Sequence, residues 1–294
     1  MSESYEFIDG LKYAYPVVKM CAWLEVSRSG FYDWRDRPTS ATAERREALK
    51  VKITKIFYDE DETYGYRRIH AELARRGVAA GPELVRALVR ELGLVACQPR
   101  VRRHHLTQAG PSVGNICDLL ERDFTAEVPG AKLVGDITYI DTWEGWLYLA
   151  TVIDCHTKKV IGYAMADHYK TPLISTAIER AAANMVLPEG AIFHSDRGSN
   201  YTSQEYADTL DALGILQSVG RTGICFDNAM AESFFGVLKN ELVHRTQYPT
   251  REHARRDIVR YIEFRYNDRR LHSALEYQTP QEVHDAYIDQ QHAA

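Results

Sequence analysis

The sequence predicts an α/β domain built on a mixed five-stranded sheet with helices, preceded by an all-α region. Two observations lead there. Apolar residues recur at helical spacing through roughly the first 95 positions, and from Lys132 they gather into strand-length runs. Those runs then come in a telling order. Leu133–Ile140, Trp146–Asp154 and Val160–Met165 read as strands with short connections, which predicts an antiparallel meander. Thr171–Met185 reads as a helix long enough for a crossover, so the strand at Ala191–His194 should lie parallel to an earlier one. A helix (Ser203–Leu213), a strand (Ile215–Ser218), a loop (Gly220–Cys225) and helices at Asn228–Val243 and Thr250–Tyr266 complete the series. Three antiparallel strands followed by alternating α and β is the order of a ribonuclease-H-like fold.

The helical part has its own punctuation. Val17, Met20, Cys21 and Leu24 share one helix face, Ser27 suits an N-cap, and Phe31, Tyr32 and Trp34 follow on a second short helix. This is a helix-turn-helix outline. Pro38–Ala43 reads as a connector, and a long helix is expected from Glu44 to about Tyr58. Tyr66, Ile69 and Leu73 mark the next helix. After a turn at Gly77–Gly81, Pro82 opens another, with Leu84, Val85, Leu88, Val89 and Leu92 as its stripe and Gly93 at its C-terminal cap. Val101–Gly130 is polar and reads as a linker with a short helix near Asp118–Arg122. The resulting division is 1–99 helical and helix-turn-helix-like, 100–131 linker, 132–294 ribonuclease-H-like core with C-terminal helices.

Net charge is −5, but it is unevenly spread. Tyr66–His105 carries nine arginines against three acids, a balance of +6, which leaves −11 on the remainder. Like charges crowd without acids at Arg100, Arg102 and Arg103, a pattern that favours nucleic-acid contact. No apolar run reaches 18 residues, and the first ten lack the basic start of a secretory signal, so neither a membrane span nor secretion is expected. The five cysteines are an odd number without C-x-x-C spacing, which argues against a disulfide framework or a cysteine-zinc site and for a cytosolic protein.

Three acids stand out by position. Asp136 lies mid-strand in Gly-Asp-Ile-Thr-Tyr, where a carboxylate is costly unless paired or metal-bound. Asp196 follows a strand, where ligands gather in open α/β sheets. Glu232 falls about a quarter-turn off the apolar side formed by Phe234, Phe235, Leu238 and Leu242. Each alone has an ordinary explanation: a sheet-edge acid, a turn-forming aspartate, a solvated helix glutamate. Asp154, ending a strand of the same sheet, could also point at the site.

Together they are harder to dismiss. Fifty-nine residues lie between Asp136 and Asp196, and 35 between Asp196 and Glu232. This resembles the D-D-35-E core of transposases and retroviral integrases. The motifs Y-G-Y-R-R-I (Tyr64–Ile69), G-D-I-T-Y-I (Gly135–Ile140), H-S-D-R-G-S-N-Y (His194–Tyr201), D-N-A-M-A-E-S-F-F (Asp227–Phe235) and Y-N-x-x-R-x-H-S-A-L (Tyr266–Leu275) resemble the second-frame product, OrfB, of the insertion-sequence-three family. V-S-R-S-G-F-Y-x-W (Val26–Trp34) also fits, and the likeness runs from Tyr13 to Tyr287. Leu133, Asn200 and Asp118 stand where that family commonly has Trp, Gln and Asn.

The resemblance implies a transposase that cleaves and transfers DNA strands at the element ends. Asp136, Asp196 and Glu232 would be both catalytic and metal-holding, with two Mg²⁺ ions per site and Mn²⁺ as an alternative. It leaves Asp154 structural. Lys239, two helix turns from Glu232, would contact DNA, as would Asn228, Arg67 and Arg68, though the two arginines could instead pair with acids of the −11 remainder; His194 would orient ligands or sit as a hydrogen-bonded strand-end residue. Implied partners are the terminal inverted repeats, target DNA, further copies of the chain, and the first-frame product OrfA, often as a frameshift fusion. No membrane is implied; the expected place is the cytoplasm, at the nucleoid. Two other functions fit the same residues: a ribonuclease-H-like nuclease without strand transfer, and a non-catalytic DNA-binding regulator.

Overall fold

The computed structural model describes residues 2–38, 40–97, 116–220 and 228–293. Three short helices come first: α1 (Ser2–Leu11), α2 (Val17–Trp23) and α3 (Arg28–Asp36). They close around Tyr5, Ile8, Met20, Cys21 and Phe31. Ser27 caps α3 as its sequence suggests, its hydroxyl accepting from Gly30 N at 3.2 Å. A second helical cluster joins α4 (Ala41–Asp59), α5 (Tyr66–Arg75) and α6 (Pro82–Glu91) around Ile53, Ile56, Ile69, Leu73, Val85 and Leu88. Pro82 sits in the first turn of α6, and Gly93 ends it in the left-handed region at φ 65°. α4 starts earlier than the expected Glu44 because Ser40 accepts from Ala43 N at 3.2 Å, drawing residues 41–43 into the helix.

The sheet follows the predicted order. β1 (Lys132–Ile140), β2 (Leu147–Asp154) and β3 (Val160–Ala166) form the meander; β4 (Ile192–Ser195) and β5 (Leu216–Val219) extend it in parallel, giving β3-β2-β1-β4-β5. α7 (Thr171–Asn184) and α8 (Gln204–Ala212) cover one face; α9 (Ala229–Glu241) and α10 (Arg251–Arg260) cover the other. α11 (Pro280–Ala293) comes last. Alternation along β1 divides its side chains between the two layers. Leu133 and Ile137 join the α7–α8 side, while Val134 and Ile140 join the α9–α10 side. Asp136 shares the parity of the second set, so it projects towards α9.

Two expectations need correction. Asp118–Arg122 is a turn and not a helix: Glu121 and Arg122 have φ of 48° and 67°, and Asp118 Oδ1 accepts from Leu120 N and Glu121 N at 3.1 and 2.9 Å. The helix expected to run from Thr250 to Tyr266 changes pitch after Arg260. Tyr261–Asn267 forms a π turn that buries Tyr261, Ile262, Arg265, Tyr266 and Asn267. α1 and α11 had no sequence assignment; α11 buries only Pro280, so no apolar stripe marks it. Among the described residues no helix is long and apolar enough to cross a membrane, and the cysteines form no disulfide.

Candidate carboxylate site and nucleic-acid interface

Asp136 is carried at the middle of β1, opposite Thr151 of β2. The glycine before it has a packing role. A Cβ on Gly135 would lie 2.3 Å from Phe193 Cζ and 3.1 Å from Thr151 O. Phe193 is 1% exposed and cannot move aside cheaply. Gly135→Ala is therefore expected to destabilise the fold by about 1–3 kcal/mol, measured by urea unfolding, through overpacking beside the site.

Burial, then the negative charges of Asp196 and Glu232, push the Asp136 carboxyl up to about 7. The Ile137 N–H, at 2.8 Å from Oδ1, and the Lys239 ammonium pull the other way. Asp136 thus feels both of the other acids named from sequence, and Lys239 beside them. Asp196 stands one residue past the carboxyl end of β4. It is exposed, and its Oδ1 accepts from Gly198 N at 2.9 Å in a tight turn. Arg197 holds that turn, its Nε donating to Gly220 O at 2.6 Å.

Glu232 lies in the first turn of α9, exposed, while Ala231, Phe234, Phe235 and Leu238 are buried. Asn228 precedes α9 and is 6% exposed; its Nδ2 donates to Gly135 O at 3.1 Å. This bond ties the start of the Glu232 helix to the strand residue before Asp136. One side of its amide is thereby taken up inside the core. Lys239 is half-buried, its Nζ 4.9 Å from the Tyr139 ring centroid.

Among the described residues no three His, Cys, Asp or Glu side chains close into a metal-holding group. The three carboxylates are coupled by charge and stand open. Their chemistry nevertheless fits a hard divalent cation: the donors are all carboxylate oxygens, and their mutual repulsion is what such an ion offsets.

Other named residues are taken up by the fold. Asp154 is fully buried; Oδ1 accepts from Gly130 N at 2.8 Å, and Oδ2 from Thr157 N and Oγ1 at 2.7 and 2.6 Å. It clamps the β2 end and is structural. His194 is buried, its Nδ1 2.8 Å from Ser218 Oγ and 3.8 Å from Asp118, so it joins β4, β5 and the incoming linker. Asn200 donates to Tyr169 O at 2.6 Å.

Comparison with known proteins fits this layout. The integrase core domain family matches residues 126–225 and 213–280, and the HTH-like domain family matches 44–103. The transposase for insertion sequence element IS904 of Lactococcus lactis is 36% identical over 84% of this chain and 96% of its own length. Transposase InsF for insertion sequence IS3A of Escherichia coli is 36% identical over 92% of this chain and 94% of its own. The chain belongs to the insertion-sequence-three family of transposases. An uncharacterized 31 kDa protein of insertion element IS600 from Shigella sonnei is likewise 36% identical, over 91% of the chain and 98% of its own length.

Two of the family's motifs meet in space, which sequence reasoning missed. Tyr64 of the first motif donates its hydroxyl to Arg269 O at 3.1 Å and accepts from Leu271 N at 2.9 Å. Arg68 turns inward: its Nε donates to Leu271 O at 3.0 Å and its Nη1 lies 3.9 Å from Glu241. Of the two roles open to it, phosphate contact or partner to an acid elsewhere in the chain, this position favours the second. Arg67 stays exposed beside the Tyr66 ring, 5.4 Å from the centroid. Glu241, at the end of α9, takes Arg270 Nε and Nη2 at 3.0 and 2.8 Å and the Tyr261 hydroxyl at 2.8 Å. Arg265 pairs with Glu60 and donates to Thr63 Oγ1 at 2.7 Å. Leu271 completes the α4–α6 core. The helical module is thus clasped by the C-terminal return of the chain. Only the unassigned Tyr266–Leu275 motif hinted at it. Arg100, Arg102 and Arg103 lie outside the described residues.

Proposed function

We propose that this chain cleaves and joins DNA strands at the ends of a bacterial insertion sequence, with Asp136, Asp196 and Glu232 as the catalytic and metal-holding acids. The supporting observation is the Asp136 carboxyl facing the charges of Asp196 and Glu232 with Lys239 alongside. Two Mg²⁺ ions, or Mn²⁺, held by these three side chains would supply Lewis-acid activation of the attacking oxygen and offset the phosphodiester charge. Asp136 would hold them as the carboxylate. Asn228 anchors the first turn of α9 on β1 and so fixes where Glu232 emerges. Lys239 offers a cation to a phosphate next to the acids. No protein nucleophile is required.

The segment before residue 100 would grip the terminal repeats, with 100–131 as linker and 132–294 as core, except that residues near 265–282 return to the helical part. Arg67 and the Arg100, Arg102, Arg103 cluster are the phosphate contacts in this reading. Pairing two ends calls for several copies of the chain, and the first-frame product OrfA is a further partner, at the nucleoid in the cytoplasm.

The experiment is incubation of the purified chain with labelled DNA carrying the element's ends, with and without Mg²⁺. Metal-dependent nicks and joined products are expected. Cleavage without joining would make it a nuclease; end binding without cutting would make it a regulator. End affinity should also fall steeply with salt, log K dropping linearly with log salt concentration as counterions leave the DNA. A flat response would remove the basic stretch from the interface.

A further inference from the structure

Beside the carboxylates, the β1–β2 hairpin end exposes three aromatic rings: Tyr139 at 54%, Trp146 at 46% and Trp143 at 76%. Burial does not explain rings left this open, and a cluster of exposed aromatics marks a contact surface. Its shape is fixed beforehand. Tyr139 and Trp146 meet edge to face, centroids 4.9 Å apart at 76°. Thr142 Oγ1 donates to Gly145 O at 2.6 Å, Gly145 N donates to Thr142 O at 2.9 Å, and Gly145 has φ 99°, which favours glycine. The hairpin end is also moored to the C-terminal half. Trp143 N donates to Tyr248 O at 3.1 Å, Arg251 Nε donates to Trp146 O at 3.0 Å, and Glu144 accepts from Arg251 N at 2.8 Å.

Charge and place narrow the occupant. Lys239 Nζ lies 4.9 Å from the Tyr139 centroid, and Arg251 donates to the Trp146 backbone carbonyl, so one cation stands against a ring and a second at the hairpin backbone. Tyr139 is three residues beyond Asp136 on β1, roughly 10 Å along the strand and of the opposite parity, and Lys239, which lies against the Tyr139 ring, also acts on Asp136 and so links the two. That distance is about three base steps of B-DNA. Rings with adjacent cations are the combination that holds unpaired bases, each ring offering a face and each cation a phosphate partner. A purely apolar protein contact would not call for the cations.

We propose that Tyr139 and Trp146, flanked by Lys239, form a stacking platform for unpaired bases of the DNA end whose phosphodiester lies at the carboxylates. This rests on the transposase reading above. Opening the end beside the cut would cost less with a ring waiting for each freed base, which lets a strand leave its partner as it enters the site.

The test compares the full-length protein's affinity, in chelator, for two DNA ends: one fully paired, one with mismatched bases flanking the cleavage junction. The wild type is expected to prefer the mismatched end, roughly 5- to 100-fold per stacked base. Trp146→Ala and Tyr139→Ala should each erase much of that preference with little change on the paired end; Trp146→Phe and Tyr139→Phe should keep it. No preference in the wild type, or an undiminished one in the alanine variants, would overturn the platform. Should an alanine variant fail to fold, photo-cross-linking of wild type to 5-iodouracil in the unpaired flank decides: adducts are expected on Tyr139 or Trp146, and adducts elsewhere overturn it. A changed sedimentation coefficient in Trp146→Ala with base preference intact would make the patch a self-association surface instead. If the wild type binds no element end, the transposase reading itself fails; if it cuts and joins yet shows no base preference, only the platform does.

Discussion

Asp136→Asn is expected to lower end cleavage and strand joining by roughly 10³-fold or more, the scale on which one member of a catalytic unit acts, while end binding persists. The same variant should be more stable than the parent in chelator. Burial and the two neighbouring acids raise the carboxyl from its ordinary 3.8 to about 7. The stability Asp136 contributes is intact below 3.8, declines as pH rises, and is lost once pH passes about 7. Asparagine carries no charge to resist. The gap in melting temperature should therefore be small at pH 4 and largest at pH 8, and Mg²⁺ should narrow it at pH 8 by stabilising only the parent. Equal melting at both pH values would mean that Asp136 does not face the other acids. Wild-type joining by the variant would remove it from the reaction.

The second large effect is expected at the clasp. Arg270→Met should destabilise the protein by about 3–5 kcal/mol, because it leaves the Glu241 carboxylate buried and short of its main partner. The two side chains are 4% and 5% exposed. Burial alone would drive Glu241 up; Arg270 and the Tyr261 hydroxyl outweigh it and hold the carboxyl below its ordinary value. The sign is opposite to that of Asp136: Glu241 stabilises above its ordinary value of 4.5 and loses that contribution as pH falls through its lowered one. A matched apolar pair, Glu241→Leu with Arg270→Met, should recover most of the loss. For contrast, Glu91→Ala removes the partner of Arg46 and Lys50 on the surface and should leave stability nearly unchanged. Chemical unfolding of the three variants reads this directly. A small loss for Arg270→Met would mean water reaches the pair.

Much of the core was legible because period and spacing are local or additive signals. The meander, the crossover and the parallel strands follow from run lengths, and the strand order agrees with them. Asp136 and Asp154 looked alike as strand acids. What separates them is partners: Asp154 is saturated by Gly130 and Thr157, whereas Asp136 faces other charges. Such partners lie in distant segments that no periodicity reports. The same holds for Arg68, which reads as one more cation on a basic helix until Leu271 and Glu241 are brought beside it. Asn228 has a distant partner of the same kind. A polar residue before a helix suggests a cap or a ligand, but its bond to Gly135 depends on how α9 crosses β1.

Tyr64 waits on Arg269, which lies 205 residues further along the chain. During synthesis at roughly 5–20 residues per second, that interval lasts on the order of 10–40 s. Through it the early helices have emerged from the ribosome while Glu60, Tyr64 and Arg68 still lack their counterparts. The helical module is completed only once residues 265–271 have been made. A product halted before residue 265 would carry those helices with an open seam and one core position, that of Leu271, unfilled. The fold thus withholds a finished helical module from any polypeptide that stops short of residue 271.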